Sequence, residues 1–445
     1  MDRHKWVIDI EEGMKDMDPS KEPDRWKRMS IFKVPPYIRS LNIDAYKPRV
    51  VSFGPYHHGK EQLKPMEAHK SRALLHFLRR SNCSFKGCCD KLKEVMLQLM
   101  LHYGHLDEEW RDKDRFLELM VVDGCFLLEF LLNNVEHFDD YDYSDPIFGH
   151  LPFDSIMYQK IMQDMLLIEN QLPLLVLQTL LEVGKVQRDI RECIRNLPIP
   201  FSRAGPVFHS RFSRAGPVFH LLDGLRDEIT GRSLSIKEIT GRSGLSDLVT
   251  AAVIDPFPSA SVLSDLKVKF EKSDTPCLLD IYFNGIVLLL PCIAFDEGTR
   301  PIFLNLLALE QLRVGKDRPV SSYVAFMGTL VRSANDVALL RDKGIIIARR
   351  QSDRAIAKCF SGLLNNPMVN PDDSLALVRE RLNRMGHTMK TNIIHKTRKT
   401  CADWRSDFLK TYCRNIWTFM GLVGGILLLG LTTIQTVYGV LQFYN

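Results

Sequence analysis

FLELMVVDGCFLLEFLL at Phe116–Leu132 and MLLIENQLPLLVLQTLL at Met165–Leu181 decide how this chain folds. Each run has 17 residues, fewer than the roughly 20 that a helix needs to cross a bilayer core. The first carries Glu118, Asp123 and Glu129; the second carries Glu169 and is interrupted by Pro173. Charges at mid-bilayer depth are costly, so both runs are expected as buried core helices. Their acids then need partners or an altered protonation state.

Upstream, IFKVPPYIRSLNIDAYKPRVVSFGPYHHG at 31–59 holds Pro35, Pro36, Pro48 and Pro55. That density excludes a continuous helix and predicts extended, turn-rich chain. Helical patterning begins near Met66, with Leu74, Leu75 and Leu78 on one side, and resumes over Leu92–Leu101. Downstream, FSRAGPVFH occurs at 201–209 and again at 212–220, and EITGRS at 228–233 and 238–243. These tandem duplications, rich in Gly and Pro, read as an insertion-tolerant linker. Leu266–Lys272 and Leu278–Pro291 read as strands, with Asn284-Gly285 as a type I′ hairpin signal. Helices are expected at Phe303–Leu312, Tyr323–Arg341, Asp353–Leu364 and Asp372–Met385.

The fold class predicted is mainly α with a small β-hairpin element (α+β), a helical body plus one C-terminal transmembrane helix. The expected organisation is a mobile arm (1–30), a helical half (31–200), the linker (201–250) and a second half of the same domain (251–389). A basic juxtamembrane helix (390–415), a span (416–440) and a short tail (441–445) complete it.

The span reading rests on charge. The chain has 445 residues, with 59 Lys+Arg against 54 Asp+Glu. From Lys390 onward seven bases face only Asp403 and Asp407, so the tail carries +5 and the first 389 residues balance at 52 against 52. A balanced body argues against nucleic acid as a partner. No charge falls between Asn415 and Asn445, and the 25 residues Ile416–Val440 are long enough to span. Lys396, Arg398, Lys399, Arg405, Lys410 and Arg414 form a collar before them. By the positive-inside rule that collar predicts a tail-anchored, single-pass protein of the plasma membrane or an endomembrane, its body cytosolic. Gly421 and Gly425 form a small-xxx-small pair, a route to homo-oligomers through the span. Ten cysteines are too sparse for a disulfide scaffold and fit a reduced compartment.

Catalytic motifs are absent: there is no P-loop, dinucleotide fingerprint, Gly-x-Ser-x-Gly, His-Glu-x-x-His or kinase set. Weaker clusters are Cys83, Cys88 and Cys89 with His102 and His105, whose spacing matches no recognised zinc finger, and Tyr56-His57-His58-Gly59. Asp123-Gly124-Cys125 and Glu169-Asn170-Gln171 are polar islands in apolar surroundings. An acid and a thiol there could form a perturbed-pKa site; the expected reading is structural, with the islands capping or cross-linking helices through the backbone. No catalytic residue, cofactor or metal is therefore assigned. The sequon Asn82-Cys83-Ser84 stays unused in a cytosolic body.

The run IFKVPPYIRSLNIDAYKPRVVSFGPYHHGKEQLKPMEAHK (31–70) resembles the opening signature of the plant "domain of unknown function 247" family. MVVDGCFLLEFLL (120–132), DMLLIENQLPLLVLQTL (164–180), HLLDGLRDEI (220–229), LLDIYFNGIVLLLP (278–291), FLNLLALEQ (303–311) and YVAFMGTLVRSANDVALLRDKGII (323–346) follow in the family's order, with LTTIQTVYGVL closing. The chain departs from the family pattern at 263–268, where it reads LSDLKV, and before the span at 414–417. The resemblance implies a membrane-anchored plant protein of a family without an established enzymatic activity. The leading expectation is a non-enzymatic protein whose helical body binds another, unidentified protein. The competing class is an enzyme using the acids of the apolar runs.

Overall fold

A computed structural model describes residues 28–136, 138–149, 155–195, 218–231, 257–313, 317–387 and 416–444, with a few isolated positions besides. The chain divides into two units, Met1–Arg381 and Leu382–Asn445.

In the first unit the run Phe116–Leu132 lies inside one long helix. After a single turn at Pro36–Arg39, the longer helices as far as Thr230 are α1 (Pro65–Ser81), α2 (Phe85–Leu101), α3 (Lys113–Glu136), α4 (Ile156–Asp164), α5 (Leu174–Val183), α6 (Ile190–Arg195) and α7 (Leu221–Thr230). Helix α3 is buried nearly all round, from Phe116 to Leu132, as a helix apolar on every face must be. It packs against α1, α2, α5 and α6. Gly124 lets α5 approach: a Cβ there would lie 2.6 Å from Leu180 Cδ1 and 2.8 Å from Val176 Cγ1.

The second run is helical only after its interruption at Pro173; the residues before it, expected as buried helix, are irregular. Helix α4 ends at Asp164 and α5 begins only at Leu174, with Pro173 as its N-cap residue. Between them the side chains of Asn170 and Gln171 bond to the carbonyls of Asp164, Met165 and Leu167. Local side-chain bonds of this kind compete with the helical ladder.

Beyond the linker come α8 (Ala260–Asp265), then strands β1 (Lys269–Lys272), β2 (Tyr282–Phe283), β3 (Val287–Leu290) and β4 (Ile293–Phe295). Helices α9 (Thr299–Leu312), α10 (Pro319–Leu330) and α11 (Ala334–Asp342), strand β5 (Ile346–Ala348) and helix α12 (Asp353–Leu364) follow. Strand β3 is central, parallel to β1 and antiparallel to β2. Its Leu288 sits opposite both Phe270 and Phe283, all three buried. The hairpin forms where expected, but among its loop residues only Gly285 has positive φ, at 99°. A type I′ turn needs two such residues; instead Asn284 Oδ1 accepts from the Ile286 and Val287 amides. Parallel pairing of β4 with β5 brings distant segments together and has no signal in the sequence.

The helix expected over Tyr323–Arg341 is two helices. Every residue of α10 is buried. Ser333 then caps α11 in a capping box with Asp336. Asp336 also accepts from the Arg332 amide and from the Ser261 amide and hydroxyl.

In the second unit, α13 runs from Ile416 to Tyr444. Among the described residues no helix is long and apolar enough to cross a membrane. The structure therefore supports a helix at 416–440 and leaves the span as a reading of the sequence. Most of the arm 1–30, and the linker outside 218–231, lie outside the described residues.

Ser333→Ala should lower stability by about 1 kcal/mol, the usual cost of a lost N-cap. Asp336→Ala should cost more, because the Arg332, Ser333 and Ser261 amides and the Ser261 hydroxyl all lose their acceptor at once. Chemical denaturation of the two variants checks that order.

Candidate functional site

The most polar part of the core lies where the proline-rich segment crosses the two apolar runs. Extended chain at 49–54 has no partner strand, so its buried amides need other acceptors. Asp164 supplies one: its carboxylate accepts from the Arg49, Val50 and Val51 amides at 3.0, 2.6 and 3.0 Å. Asn170 Oδ1 accepts from Phe53 N at 2.7 Å, while its Nδ2 donates to Val51 O at 3.0 Å. Asp123 Oδ2 accepts from Gly54 N at 2.8 Å. Gly54 has φ of 69°, and a Cβ there would lie 2.8 Å from Gln171 O and from Tyr103 Oη.

Asp123 is paired as well. Lys70 Nζ, fully buried on α1, donates to its Oδ1 at 2.7 Å and to Ser52 Oγ at 3.2 Å. Glu67 lies 2.9 Å from the same ammonium. Burial alone would lower the Lys70 pKa; Asp123 and Glu67 outweigh it and hold the ammonium above its ordinary range. A salt bridge thus ties α1 to α3.

Glu169 closes the other end. Its Oε1 accepts from Val34 N at 2.5 Å and from the Arg39 guanidinium, and its Oε2 lies 3.2 Å from His57 Nε2. Burial pushes its carboxyl up, but His57, the Val34 amide and Arg39 together hold it below the usual range. His57 itself is lowered, mainly by burial. Gln171 spans the loop: its Nε2 reaches the carbonyls of Met165 and Leu167 at 2.7 Å, and its Oε1 accepts from Leu222 N at 3.1 Å.

Both polar islands are therefore cross-links, as expected of the structural reading. The acid–thiol alternative gains nothing from Cys125, which is buried and whose thiol burial pushes well above its ordinary range. Glu129 is held by Arg80 Nη1 and Tyr141 Oη, each at 2.7 Å. Of the imagined zinc ligands the structure brings Cys83 and Cys88 together, with their Sγ atoms 3.9 Å apart. His102 is occupied elsewhere, its Nδ1 3.0 Å from Ser30 Oγ. Among the described residues no group of His, Cys, Asp or Glu is placed to hold a metal. Asn82 is exposed in left-handed conformation at the end of α1. Gly421 and Gly425 lie on α13 with nothing within 4 Å of a Cβ. The collar residues Lys396, Arg398, Lys399, Arg405, Lys410 and Arg414 lie outside the described residues.

The sequence reading missed Lys70, Asp164 and His220. Fully buried His220 caps α7: its Nδ1 accepts from Asp223 N at 3.2 Å, and its Nε2 donates to Ser30 O at 3.0 Å. The only signal for Asp164 was an acid at the edge of an apolar run.

With this geometry in view, the family can be stated. The chain belongs to the DUF247 family, described as a plant protein of unknown function, whose pattern matches residues 31–431. It is 27% identical over 437 residues to the UPF0481 protein At3g47200 of Arabidopsis thaliana, covering 93% of this chain and 87% of that one. It is 22% identical over 525 residues to the putative UPF0481 protein At3g02645 of the same plant, covering 98% and 94%. No solved structure matches the chain.

Lys70→Met should destabilise the body by about 3–5 kcal/mol, because Asp123 is left as an unpaired buried charge. Adding Asp123→Leu should recover part of that loss and not all, since the Gly54 amide still lacks its acceptor. Thermal and denaturant unfolding of both variants checks this.

Burial pushes the His220 pKa from 6.5 down to about 4. Between those values the unfolded chain binds the proton and the folded chain does not, so stability is full above pH 6.5 and falls as pH drops towards 4. The limiting loss from this residue is about 3 kcal/mol. His57 and His102, both lowered by burial, act in the same direction. His220→Gln should flatten part of this acid limb in stability measured against pH.

Proposed function

We propose that this DUF247 member is a single-pass, tail-anchored membrane protein whose cytosolic body is a rigid, non-catalytic platform for another protein. One observation supports the non-catalytic part of this reading. Asp123, Asp164 and Glu169 direct their oxygens at amides of the proline-rich segment and at fixed cations, which leaves them poorly suited to acid–base work on a substrate. The enzyme reading would need such an acid facing a pocket beside a base or nucleophile.

The anchor reading is supported by the charge-free segment 415–445. It is supported too by the exposed apolar side chains of α13, among them Ile426, Leu427, Leu428 and Leu429. The basic collar sets orientation, and Gly421 with Gly425 offers a face for self-association.

Full-length protein expressed in plant cells should stay with membranes through alkaline extraction, while residues 1–415 should be released. Equal release of both forms would remove the anchor. Glycosylation of Asn82 would place the body on the other side of the membrane.

A further inference from the structure

The connector between α1 and α2 holds two thiols in contact. Ser84 is the N-cap of α2, its Oγ accepting from Gly87 N at 3.1 Å. Cys83 and Cys88 then occupy the positions just before the cap and in the first full turn, where side chains meet across a helix start. Their Sγ atoms lie 3.9 Å apart, against about 2.05 Å in a disulfide. The difference is within reach of a side-chain rotation in the connector, where Asn82 is already left-handed, the Cys83 amide is held by Leu78 O at 3.2 Å and the Cys83 thiol touches Ser81 Oγ at 2.9 Å. The two differ in access: Cys83 is partly exposed and Cys88 is buried. All eight described cysteines are free thiols.

We propose that Cys83 and Cys88 are a reversible oxidation site, forming an intramolecular disulfide when a peroxide reaches Cys83. The Cys83 sulfur attacks one peroxide oxygen; an S–O bond forms, the O–O bond breaks, and the departing hydroxide takes a proton to leave as water. The Cys88 sulfur then attacks the Cys83 sulfenic acid. An S–S bond forms, the S–O bond breaks, and the Cys88 proton leaves with the hydroxide as a second water. The two thiols lose two electrons and the peroxide gains them.

Neighbouring thiols are less suited. Cys125 is buried on α3. Cys89 faces Asp90, Glu118 and Asp114, whose charges add to burial in keeping its thiol protonated. Burial and the neighbouring Cys83 push the Cys88 thiol up to about 12, which makes buried Cys88 a poorer first target than the partly exposed Cys83. The bond would pull Cys83 away from Ser81 and fix the start of α2 against the end of α1. Dithiol reductants would reverse it. The proposal stands on this geometry alone, independent of the anchor and the platform.

The test treats full-length protein with hydrogen peroxide, alkylates remaining thiols and digests with trypsin. Lys86 lies between the two cysteines, so the cut peptides stay joined only through the disulfide. The expected result is that linked pair, two hydrogens lighter than its separated peptides and lost on adding dithiothreitol. It should persist in Cys89→Ser and vanish in Cys83→Ser and Cys88→Ser. A linkage that survives Cys88→Ser, or a Cys83 that stays alkylatable or ends as sulfinic acid without a crosslink, overturns the proposal. Cys88 and Cys89 share the tryptic peptide 87–91, so fragmentation of the linked pair from the unsubstituted chain, locating the bond at Cys88 or at Cys89, decides the matter even where a variant folds poorly.

Discussion

An extended segment buried without a partner strand imposes the constraint on which the rest of this body depends. The chain enters the interior after Arg49 and is buried from Val51 to Gly54, where an unpaired amide costs about 1–3 kcal/mol. Proline at 48 and 55 keeps that segment from becoming a helix that could satisfy itself. The acceptors come from side chains: Asp164 for three amides, Asn170 for Phe53, Asp123 for Gly54. Placing carboxylates in the core then demands cations, and Lys70 and Arg39 reach in to provide them. The position of α1 on α3 and the irregular path at 165–173 both follow from this one need.

The second half of the body uses the same device. Glu310 accepts from the Val320 and Ser321 amides at 2.9 Å, covering the start of the wholly buried α10, and Arg226 lies against it. Asp223 takes the Phe219 amide at 3.1 Å and pairs with Arg313. Buried acids here act as acceptors that hold backbone between helices. The duplicated linker meets this network through its second copy: Phe219 O accepts from Leu174 N at 2.8 Å, and His220 caps α7. The first copy, at 201–209, lies outside the described residues.

Periodicity made α1 and α2 legible, because each repeats its apolar residues at helical spacing around a buried stripe, while α3 was legible as a long run apolar on nearly every face. It failed at Met165–Leu172 and at 331–333. In both places polar side chains, Asn170 with Gln171 and Ser333 with Asp336, claim the backbone beside an apolar run. The Asn284-Gly285 signal found the hairpin but not its turn, since Asn284 uses its side chain to hold the loop and keeps φ negative. The polar islands at 123–125 and 169–171 stood out in the sequence because acids are rare in such company. Their partners did not, because Lys70 and Arg39 lie 53 and 130 residues away along the chain.

By itself the sequence determined the mainly helical class, the buried runs, the charge-free C-terminal segment and the family. These depend on composition and local spacing, which the chain carries in order. Only the tertiary structure decided that Asp164 serves three amides, that β4 lies beside β5, and that Cys83 meets Cys88 while His102 turns to Ser30. Those outcomes depend on which distant groups the packed core brings within hydrogen-bonding distance. No local pattern encodes that distance.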